Sequence, residues 1–341
     1  MTQTNRRWIL RKRPVGSIDP NNFQLVEQVL PNPDDGEVVV RIAMLSVDAA
    51  QRTWLSAGPN YITPVKIGEP IRAVGVGEIV ASRNSDYMIG DVVLGVMSWE
   101  DYARFTPVGL QQLGKLPPGL ALEHALWAVS PSGLAAYFGL LDVGRPKPGE
   151  TVVISGAAGA TGALAGQIAK LKGCRVIGIA GGVRKCSWLT DVAGFDAAID
   201  YKVGSIDERL REICPEGVDV FFDNVGGEIL DAVLDQLAIH GRVVICGAVA
   251  HYNDVGQPPG TKRQLDLWRK RIRIEGFLVL DYLSRQTELL EDVLTWVSEG
   301  KIAIQIDIQE GLENAPATLM RLFSGANIGK QLLRVRDLSS S

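Results

Sequence analysis

The sequence predicts an α/β protein with a parallel sheet in its larger region and a smaller, β-rich region before it. Up to about residue 124, short apolar runs are separated by turn residues such as Pro31, Gly36 and Gly90, which is typical of an irregular β-rich domain. From Ala125 onward, strand-like runs alternate with helical patterns, as in the βαβ units of a parallel sheet. A chain of 341 residues is also long for one hydrophobic core, so two domains are expected.

The second region begins its alternation at Thr151–Ser155, an apolar run that follows a Pro-Gly turn. Leu164, Ile168 and Leu171 then recur at helical spacing and predict an amphipathic helix. Further strands are predicted at 175–180, 197–200, 218–223, 242–246 and 272–280, and further helices at 229–237 and 287–299. These elements predict a doubly wound parallel sheet. The closing segment, residues 302–335, has strand-like pieces around one helix and is expected to rejoin the first domain.

Composition and charge narrow the class of protein. The chain carries 35 basic and 39 acidic residues, a net charge of −4, so no nucleic-acid partner is expected. No apolar run reaches the ~18–20 residues that a membrane helix needs, and the basic N-terminus lacks the apolar stretch of a signal peptide. The four cysteines are scattered, which predicts reduced thiols and a cytoplasmic location.

The strongest motif is a glycine-rich turn between the strand at 151–155 and the helix that follows it. Gly156, Gly159 and Gly162 are spaced as GxxGxxG. A dinucleotide pyrophosphate requires a tight turn, a backbone without Cβ atoms near it, and the free N–H groups of a helix N-terminus. Glycines also mark plain turns, but the strand before this motif and the helix after it favour dinucleotide binding.

The next strand indicates which dinucleotide is bound. NAD-specific sites place an acid about 20 residues after the glycine turn, where it binds the ribose 2′-hydroxyl. Here the strand at 175–180 is followed by Gly181-Gly182-Val183 and then by Arg184 and Lys185, with no acid. Two cations suit the 2′-phosphate of NADP(H), although they are also compatible with a solvated first helical turn.

With these residues in view, the chain resembles the medium-chain dehydrogenase/reductase superfamily. Within it, the chain is similar to the zinc-independent group of leukotriene B4 dehydrogenase, prostaglandin reductase and 2-alkenal double-bond reductase. The matching stretches are residues 5–7, 67–70, 157–162, 166–174, 194–202, 222–227, 246–248 with 252–253, and 327–330. The Phe-Asp-Asn-Val-Gly-Gly stretch at 222–227 and the Cys-Gly-Ala and Tyr-Asn pair at 246–253 are specific to this group.

The resemblance implies a Rossmann domain at 125–301 that binds NADP(H), and a GroES-like catalytic domain formed by 1–124 and 302–341. The implied cofactor contacts are Gly159, Ala160, Thr161, Gly162, Lys185, Tyr201, Asn224, Cys246, Gly247, Ala248, Tyr252, Phe277, Leu278, Val279 and Asn327. The contacts at 277–279 rest on alignment alone. Packing is an alternative role for Tyr201 and Phe277, and capping of a helix is an alternative role for Asn224.

The resemblance also implies that no metal is bound. Zinc-dependent relatives have a Gly-His-Glu ligand motif and a four-cysteine lobe. This chain has Ile67-Gly68-Glu69-Pro70 at the first position and lacks the lobe cysteines. Without zinc there is no Lewis acid to polarise an alcohol or carbonyl, which argues against alcohol dehydrogenation.

The implied reaction is reduction of an α,β-unsaturated ketone or aldehyde, with hydride delivered to the β-carbon. Charge then develops on the carbonyl oxygen, which needs a hydrogen-bond donor. Tyr252 is the candidate donor, because a phenol is protonated at neutral pH and this one opens the polar loop at 251–264. A ribose contact or a loop anchor is an equally good interpretation of Tyr252. The loop itself is either a lid or a surface excursion.

One departure from the group affects the substrate pocket. Many members have Asp-Pro-Tyr-Met-Arg where this chain has Asp48-Ala49-Ala50-Gln51-Arg52, so a pocket tyrosine is lost and prostaglandin-like substrates are doubtful. Trp54, Tyr61 and Tyr282 are candidate replacements, with core packing favoured for Trp54. Two other functions remain open: a quinone reductase of the same superfamily, and a non-enzymatic NADPH-binding protein. The superfamily makes a homodimer the expected assembly.

Overall fold

The computed structural model describes residues 4–58, 60–117, 119–256 and 260–338. The chain divides into two units. Residues 1–130 and 306–341 form what we call the β-rich unit, and residues 131–305 form the sheet unit. Both boundaries lie a few residues after the predicted ones.

Fifteen strands and ten α-helices make up most of the regular structure in the described ranges. The strands are β1 (Thr4–Leu10), β2 (Phe23–Val29), β3 (Val38–Ser46), β4 (Arg72–Ser82), β5 (Val92–Ser98), β6 (Tyr102–Phe105), β7 (Gly114–Lys115), β8 (Thr151–Ser155), β9 (Arg175–Ala180), β10 (Ala197–Asp200), β11 (Val218–Asp223), β12 (Leu237–Ile245), β13 (Arg273–Gly276), β14 (Ile306–Glu310) and β15 (Lys330–Arg334). The helices are α1 (Gln51–Trp54), α2 (Leu122–Ala128), α3 (Pro131–Phe138), α4 (Ala160–Leu171), α5 (Val183–Asp191), α6 (Ile206–Ile213), α7 (Gly227–Gln236), α8 (Gln264–Arg269), α9 (Gln286–Ser298) and α10 (Ala315–Ser324). Short 3-10 turns cover Pro20–Asn22, Gly109–Gln111, Val249–His251, Val279–Arg285 and Leu312–Asn314, and a π-helical turn covers Gly139–Gly144.

The β-rich unit is built on a mostly antiparallel sheet. Its strand order is β14-β15-β3-β4-β5-β7, with β6 paired to β3, and β1 and β2 form a separate hairpin. Only the pairing of β14 with β15 is parallel among these strands. The closing segment therefore joins the sheet of the β-rich unit through the pairing of β15 with β3.

The sheet unit contains six parallel strands in the order β10-β9-β8-β11-β12-β13. The order reverses between β8 and β11, so the carboxyl ends of these two strands flank the point where α/β sheets bind ligands. The central strands are buried on both faces, as their continuous apolar runs require. The predicted α/β class, with a doubly wound parallel sheet and a β-rich domain, is confirmed.

Individual elements follow the sequence prediction closely where periodicity was strong. Strands β8, β9, β10 and β11 have the predicted bounds. Strand β13 was predicted too long, because the structure ends it at Gly276 and places a 3-10 turn from Val279. Apolar residues of a 3-10 turn produce the same unbroken run as a buried strand, and periodicity alone does not separate the two.

The helices are short compared with the thickness of a membrane. Among the described residues no single helix is long and apolar enough to cross one. The helices at 122–128 and 131–144, which are bent at the break between them, together reach that length and apolar composition.

Candidate active site

The glycine turn lies at the carboxyl end of β8, in the middle of the parallel sheet. Gly156 adopts a left-handed φ of +58°, and Gly159 precedes the first residue of α4 in an extended conformation. No side chain caps this helix N-terminus. The first-turn N–H groups at Ala160 and Thr161 therefore have no side-chain cap, and uncapped N–H groups at a helix N-terminus suit an anion.

Gly162 is restricted by backbone, not by side chains. A Cβ atom there would lie 2.5 Å from the carbonyl oxygen of Gly156 and 2.8 Å from the Cα of Ala157. At Gly159 a Cβ would lie 3.2 Å from the same Gly156 oxygen. The turn thus approaches the first turn of α4 too closely for a Cβ at Gly162 and leaves little room for one at Gly159.

A buried polar network joins the ends of β8 and β11 beneath the turn. Asp223, which is fully buried, accepts a hydrogen bond from the Ser155 hydroxyl at 2.6 Å and from the N–H groups of Val225 and Gly226 at 2.9 and 3.0 Å. Burial raises the pKa of Asp223, and these hydrogen bonds oppose that rise. Sequence reasoning did not assign a role to Ser155 or Asp223, although Asp223 belongs to the group-specific stretch at 222–227.

Asn224 connects this network to the loop after β12. Its Nδ2 donates to the carbonyl oxygen of Ser155 at 2.7 Å, and its own carbonyl accepts the N–H of Val249 at 3.2 Å. The residue at the N-cap of α7 is Gly226, so Asn224 does not cap that helix. The helix-cap alternative for Asn224 is therefore wrong.

Residues 246–250 are fixed by backbone hydrogen bonds to the end of β11. The N–H groups of Cys246 and Gly247 donate to the carbonyl of Asp223 at 2.8 and 3.1 Å, and Ala250 donates to Val225 at 3.0 Å. Burial raises the pKa of the Cys246 thiol to about 12, so it stays protonated at neutral pH. The loop therefore presents backbone groups, not a reactive thiolate, at the sheet edge.

Tyr252 turns back over the start of this loop. Its hydroxyl oxygen accepts the N–H of Ala248 at 3.4 Å, and a Cβ on Gly247 would lie 3.0 Å from that oxygen. This contact uses the oxygen as an acceptor, whereas a bond to a substrate carbonyl would use the O–H as a donor. Anchoring the loop and donating to a substrate are therefore compatible roles for one hydroxyl. Residues 257–259 of the predicted loop lie outside the described residues.

The predicted 2′-phosphate cations lie just after the end of β9. Gly182, with a φ of +95°, precedes α5, whose first turn carries the exposed Arg184 and the half-buried Lys185. The Tyr201 ring lies against Gly181, where a Cβ would be 2.8 Å from Cε1 of the ring. The carboxyl ends of β9 and β10 thus bring these three predicted residues to the same edge of the sheet.

Asp200 is an acid at this edge that the sequence analysis overlooked. Its Oδ1 accepts the N–H groups of Gly182 at 2.8 Å and Lys202 at 3.0 Å, and these backbone hydrogen bonds lower the pKa of Asp200. The carboxylate therefore holds the turn that precedes α5, a role that differs from that of the ribose-binding acid of NAD-specific sites.

Phe277 packs within the sheet unit. A Cβ on Gly139 would lie 2.4 Å from Cζ of its ring, and the ring meets Tyr282 edge-on with centroids 6.3 Å apart. Tyr282 in turn stacks on Phe138 at 4.7 Å. The packing interpretation thus holds for the Phe277 ring, while the backbone of residues 277–279 continues from the carboxyl end of β13, next to β12.

Asn327 and the segment 48–61 belong to the β-rich unit. Asn327 is 8% exposed and its Nδ2 donates to the carbonyl of Gly329 at 3.2 Å. Trp54 is part of the hydrophobic core, and its Nε1 donates to the hydroxyl of the half-exposed Tyr61 at 2.7 Å. Core packing is thus the role the structure gives Trp54.

Comparison with known proteins identifies the family. Residues 6–113 match the model described as the N-terminal domain of oxidoreductase, and residues 160–299 match the model described as zinc-binding dehydrogenase. The second description refers to zinc; among the residues that the structure describes, no group of three or more His, Cys, Asp or Glu side chains could hold a metal ion.

Individual relatives cover nearly the whole chain. The chain is 42% identical to the NADPH-dependent curcumin reductase of Escherichia coli K12, over 98% of this chain and 97% of that protein. It is 39% identical to prostaglandin reductase 1 of Rattus norvegicus, over 96% and 98%. The crystal structure of CurA in complex with NADPH from Vibrio vulnificus superposes with a TM-score of 0.91 at 39% identity, covering 97% of this chain and 99% of that one. The chain therefore belongs to the medium-chain dehydrogenase/reductase superfamily, in the zinc-independent group that contains prostaglandin reductase and 2-alkenal reductase.

Proposed function

We propose that this protein is an NADPH-dependent reductase of the carbon–carbon double bond of α,β-unsaturated ketones and aldehydes. The proposal rests on two segments that meet at one edge of the parallel sheet. One is the glycine turn at Gly156–Gly162, and the other is the segment after β12, residues 246–252, which ends with the hydroxyl of Tyr252. Relatives named curcumin reductase, prostaglandin reductase and 2-alkenal reductase support it.

The cofactor assignment rests on the fit of the sheet edge to NADP(H). In this proposal the N–H groups of residues 159–162 bind the pyrophosphate, and Arg184 with Lys185 bind the 2′-phosphate; the uncapped N-terminus of α4 and the position of both cations in the first turn of α5 support it. Further contacts are proposed for the residues at the ends of the neighbouring strands and, in the β-rich unit, for Asn327: Tyr201, Asn224, Cys246, Gly247, Ala248, Tyr252, Phe277, Leu278, Val279 and Asn327. When bound, the nicotinamide supplies the hydride.

Tyr252 is the proposed catalytic residue. Its hydroxyl donates a hydrogen bond to the substrate carbonyl oxygen, on which negative charge develops as the β-carbon receives the hydride. The enolate then takes a proton from solvent water at its α-carbon, which gives the saturated carbonyl product. A donor that is already held in place by the Ala248 contact does not have to reorganise during the reaction, which makes its stabilisation of the charge more effective.

One assay tests the function. The purified protein is supplied with NADPH and, separately, a medium-chain enone, the matching saturated ketone and a quinone, and cofactor oxidation is followed by absorbance. We expect consumption with the enone and none with the saturated ketone. Consumption with the quinone alone would replace the proposal by quinone reduction, and NADPH binding without any consumption would replace it by a cofactor-binding protein.

We propose in addition that the enzyme is a cytoplasmic homodimer. All four cysteines are free thiols in the structure, which suits a reducing compartment, and dimers are expected from the superfamily. Light scattering after size-exclusion chromatography is expected to give about twice the monomer mass of 36.9 kDa. A monomer mass at micromolar concentration would contradict the dimer.

A further inference from the structure

A buried ion pair in the β-rich unit is not explained by the cofactor site described above. The Nζ of Lys330 lies 2.5 Å from Oδ1 of Asp48, and the Lys330 side chain is fully buried. The Ser46 hydroxyl donates to the other oxygen of the same carboxylate. Removing an ammonium group from water costs several kcal/mol, and an apolar pair of similar size often gives equal or greater stability. A buried ion pair of this kind can serve to specify geometry.

The pair joins two segments that are far apart in sequence. Lys330 is the first residue of β15 and directly follows the Asn327–Gly329 loop, whose Asn327 is a proposed cofactor contact. Asp48 begins the short stretch that leads into α1, where the group's pocket tyrosine is absent.

The Asp48 side of the pair is itself held in place. Its backbone N–H donates to Oε1 of the buried Gln51 at 3.0 Å, and Nε2 of Gln51 donates to the carbonyl of Arg72 at 2.8 Å. The position of the 48–54 turn is therefore set relative to β4 on one side and to β15 through Lys330 on the other. Substitution of either charged side chain is therefore expected to shift both the 48–54 turn and the 327–329 loop.

We propose that the Lys330–Asp48 pair is a positioning device that sets the 48–54 turn against the 327–329 loop, and so aligns the substrate-binding turn with the cofactor-binding loop. This inference rests on the proposed function, which assigns a cofactor contact to Asn327, and on the family resemblance, which implies that residues 48–52 line the substrate pocket. Neither side chain is a catalytic residue in this account. The pair acts through the two backbone segments that it joins.

The test is a double-mutant comparison. Asp48→Asn or Lys330→Met alone removes one of the two opposite charges and is expected to lower Tm. The Asp48→Asn/Lys330→Met double variant removes both charges. We expect its Tm to return most of the way to the wild-type value, since no charge is then buried at these two positions. Activity separates positioning from stability. We measure the double variant at temperatures well below its Tm. There we expect the enone KM to be about tenfold, and the NADPH Kd about threefold, above the wild-type values, because small misplacements cost large factors in rate and affinity.

A matched pair serves as control. Arg41 and Glu78 are 2.5 Å apart on the adjacent strands β3 and β4 of the same unit, and both are mostly buried. Arg41→Met/Glu78→Gln is expected to leave the enone KM and the NADPH Kd within about twofold of wild type, because this pair joins no binding segment.

Several outcomes decide the inference. A double variant whose Tm, KM and Kd all return to wild-type values would show a purely structural pair and overturn it. If the double variant does not fold, Ser46→Ala, which removes only the hydroxyl bond to Asp48, is expected to raise the enone KM about threefold without a change in kcat; an unchanged KM overturns the inference. If wild type reduces no enone, the proposed function fails, and the NADPH Kd of the double variant still tests the link to the 327–329 loop.

Discussion

The two regions to which we assign binding roles are built by different means. At the sheet edge of residues 156–162 and 223–252, most contacts are made by backbone groups, and the key restriction is the absence of Cβ atoms. In the 48–61 segment of the β-rich unit, contacts are made by side chains, including Lys330 with Asp48 and Trp54 with Tyr61. Backbone geometry tolerates little sequence change, whereas side-chain contacts can be exchanged. A cofactor edge built from backbone can therefore be combined with different segments built from side-chain contacts.

The largest expected effect is on NADPH affinity, when one methyl group is added to the glycine turn at residues 156–162. Gly162→Ala would place a Cβ 2.5 Å from the Gly156 carbonyl oxygen, so the turn must shift and the first turn of α4 with it. We expect NADPH affinity, measured by fluorescence titration, to fall by at least about 100-fold. Gly114→Ala is the control, because a Cβ there meets only the Leu94 carbonyl at 3.8 Å. Equal, small effects of both substitutions would show that the close approach is unimportant.

The second prediction concerns the side chain that we assign to chemistry at that same edge. Tyr252→Phe removes the proposed donor and is expected to lower kcat for an enone about 50-fold, with little change in NADPH affinity. Stopped-flow single-turnover rates measure this step directly. Tyr87→Phe is the matched control, because it removes a hydroxyl that donates to the Leu113 carbonyl in the β-rich unit and has no assigned binding role. A Tyr252→Phe variant with wild-type kcat would remove Tyr252 from chemistry and leave it as a loop anchor.

The third prediction concerns the preference for NADPH over NADH, which we attribute to the side chains of Arg184 and Lys185. Arg184→Ala combined with Lys185→Ala is expected to weaken NADPH binding about 20-fold more than NADH binding, since only NADPH carries the 2′-phosphate. Isothermal titration with both cofactors gives the ratio. Arg209→Ala with Arg211→Ala on α6 provides a control with the same change in charge. Equal weakening of both cofactors would contradict the 2′-phosphate assignment.

The smallest expected effect is on stability at the β9 edge. Asp200→Asn loses a carboxylate that accepts two backbone N–H groups, and we expect Tm at pH 7 to fall by about 2–4 °C. The pKa of Asp200 is lowered in the folded protein, so its contribution is present above the unfolded-state value and is lost as the pH falls through the folded one. The difference in Tm between wild type and variant should therefore close as the pH is lowered below about 4. A difference that stays constant with pH would contradict this linkage.

Sequence reasoning was most successful where the structure depends on local pattern. Strands β8 to β11 followed from apolar runs, and the position of the glycine turn followed from the strand and helix on either side of it. It failed at residues 277–280, where an apolar 3-10 turn imitates a strand. Contacts between distant residues were beyond its reach: Asp223 with Ser155 spans 68 residues, and Lys330 with Asp48 spans 282. No spacing rule in one sequence connects such pairs, because the fold alone brings them together.

The central claim is that hydride is delivered to a carbon–carbon double bond. The direct measurement is a reduction of a medium-chain enone with NADPH deuterated at the transferable C4 position, followed by NMR and mass spectrometry of the product. Our account predicts a saturated ketone with its carbonyl intact and one deuterium on the β-carbon. Deuterium on the carbinol carbon of an unsaturated alcohol, or turnover with quinones and none with the enone, would contradict it.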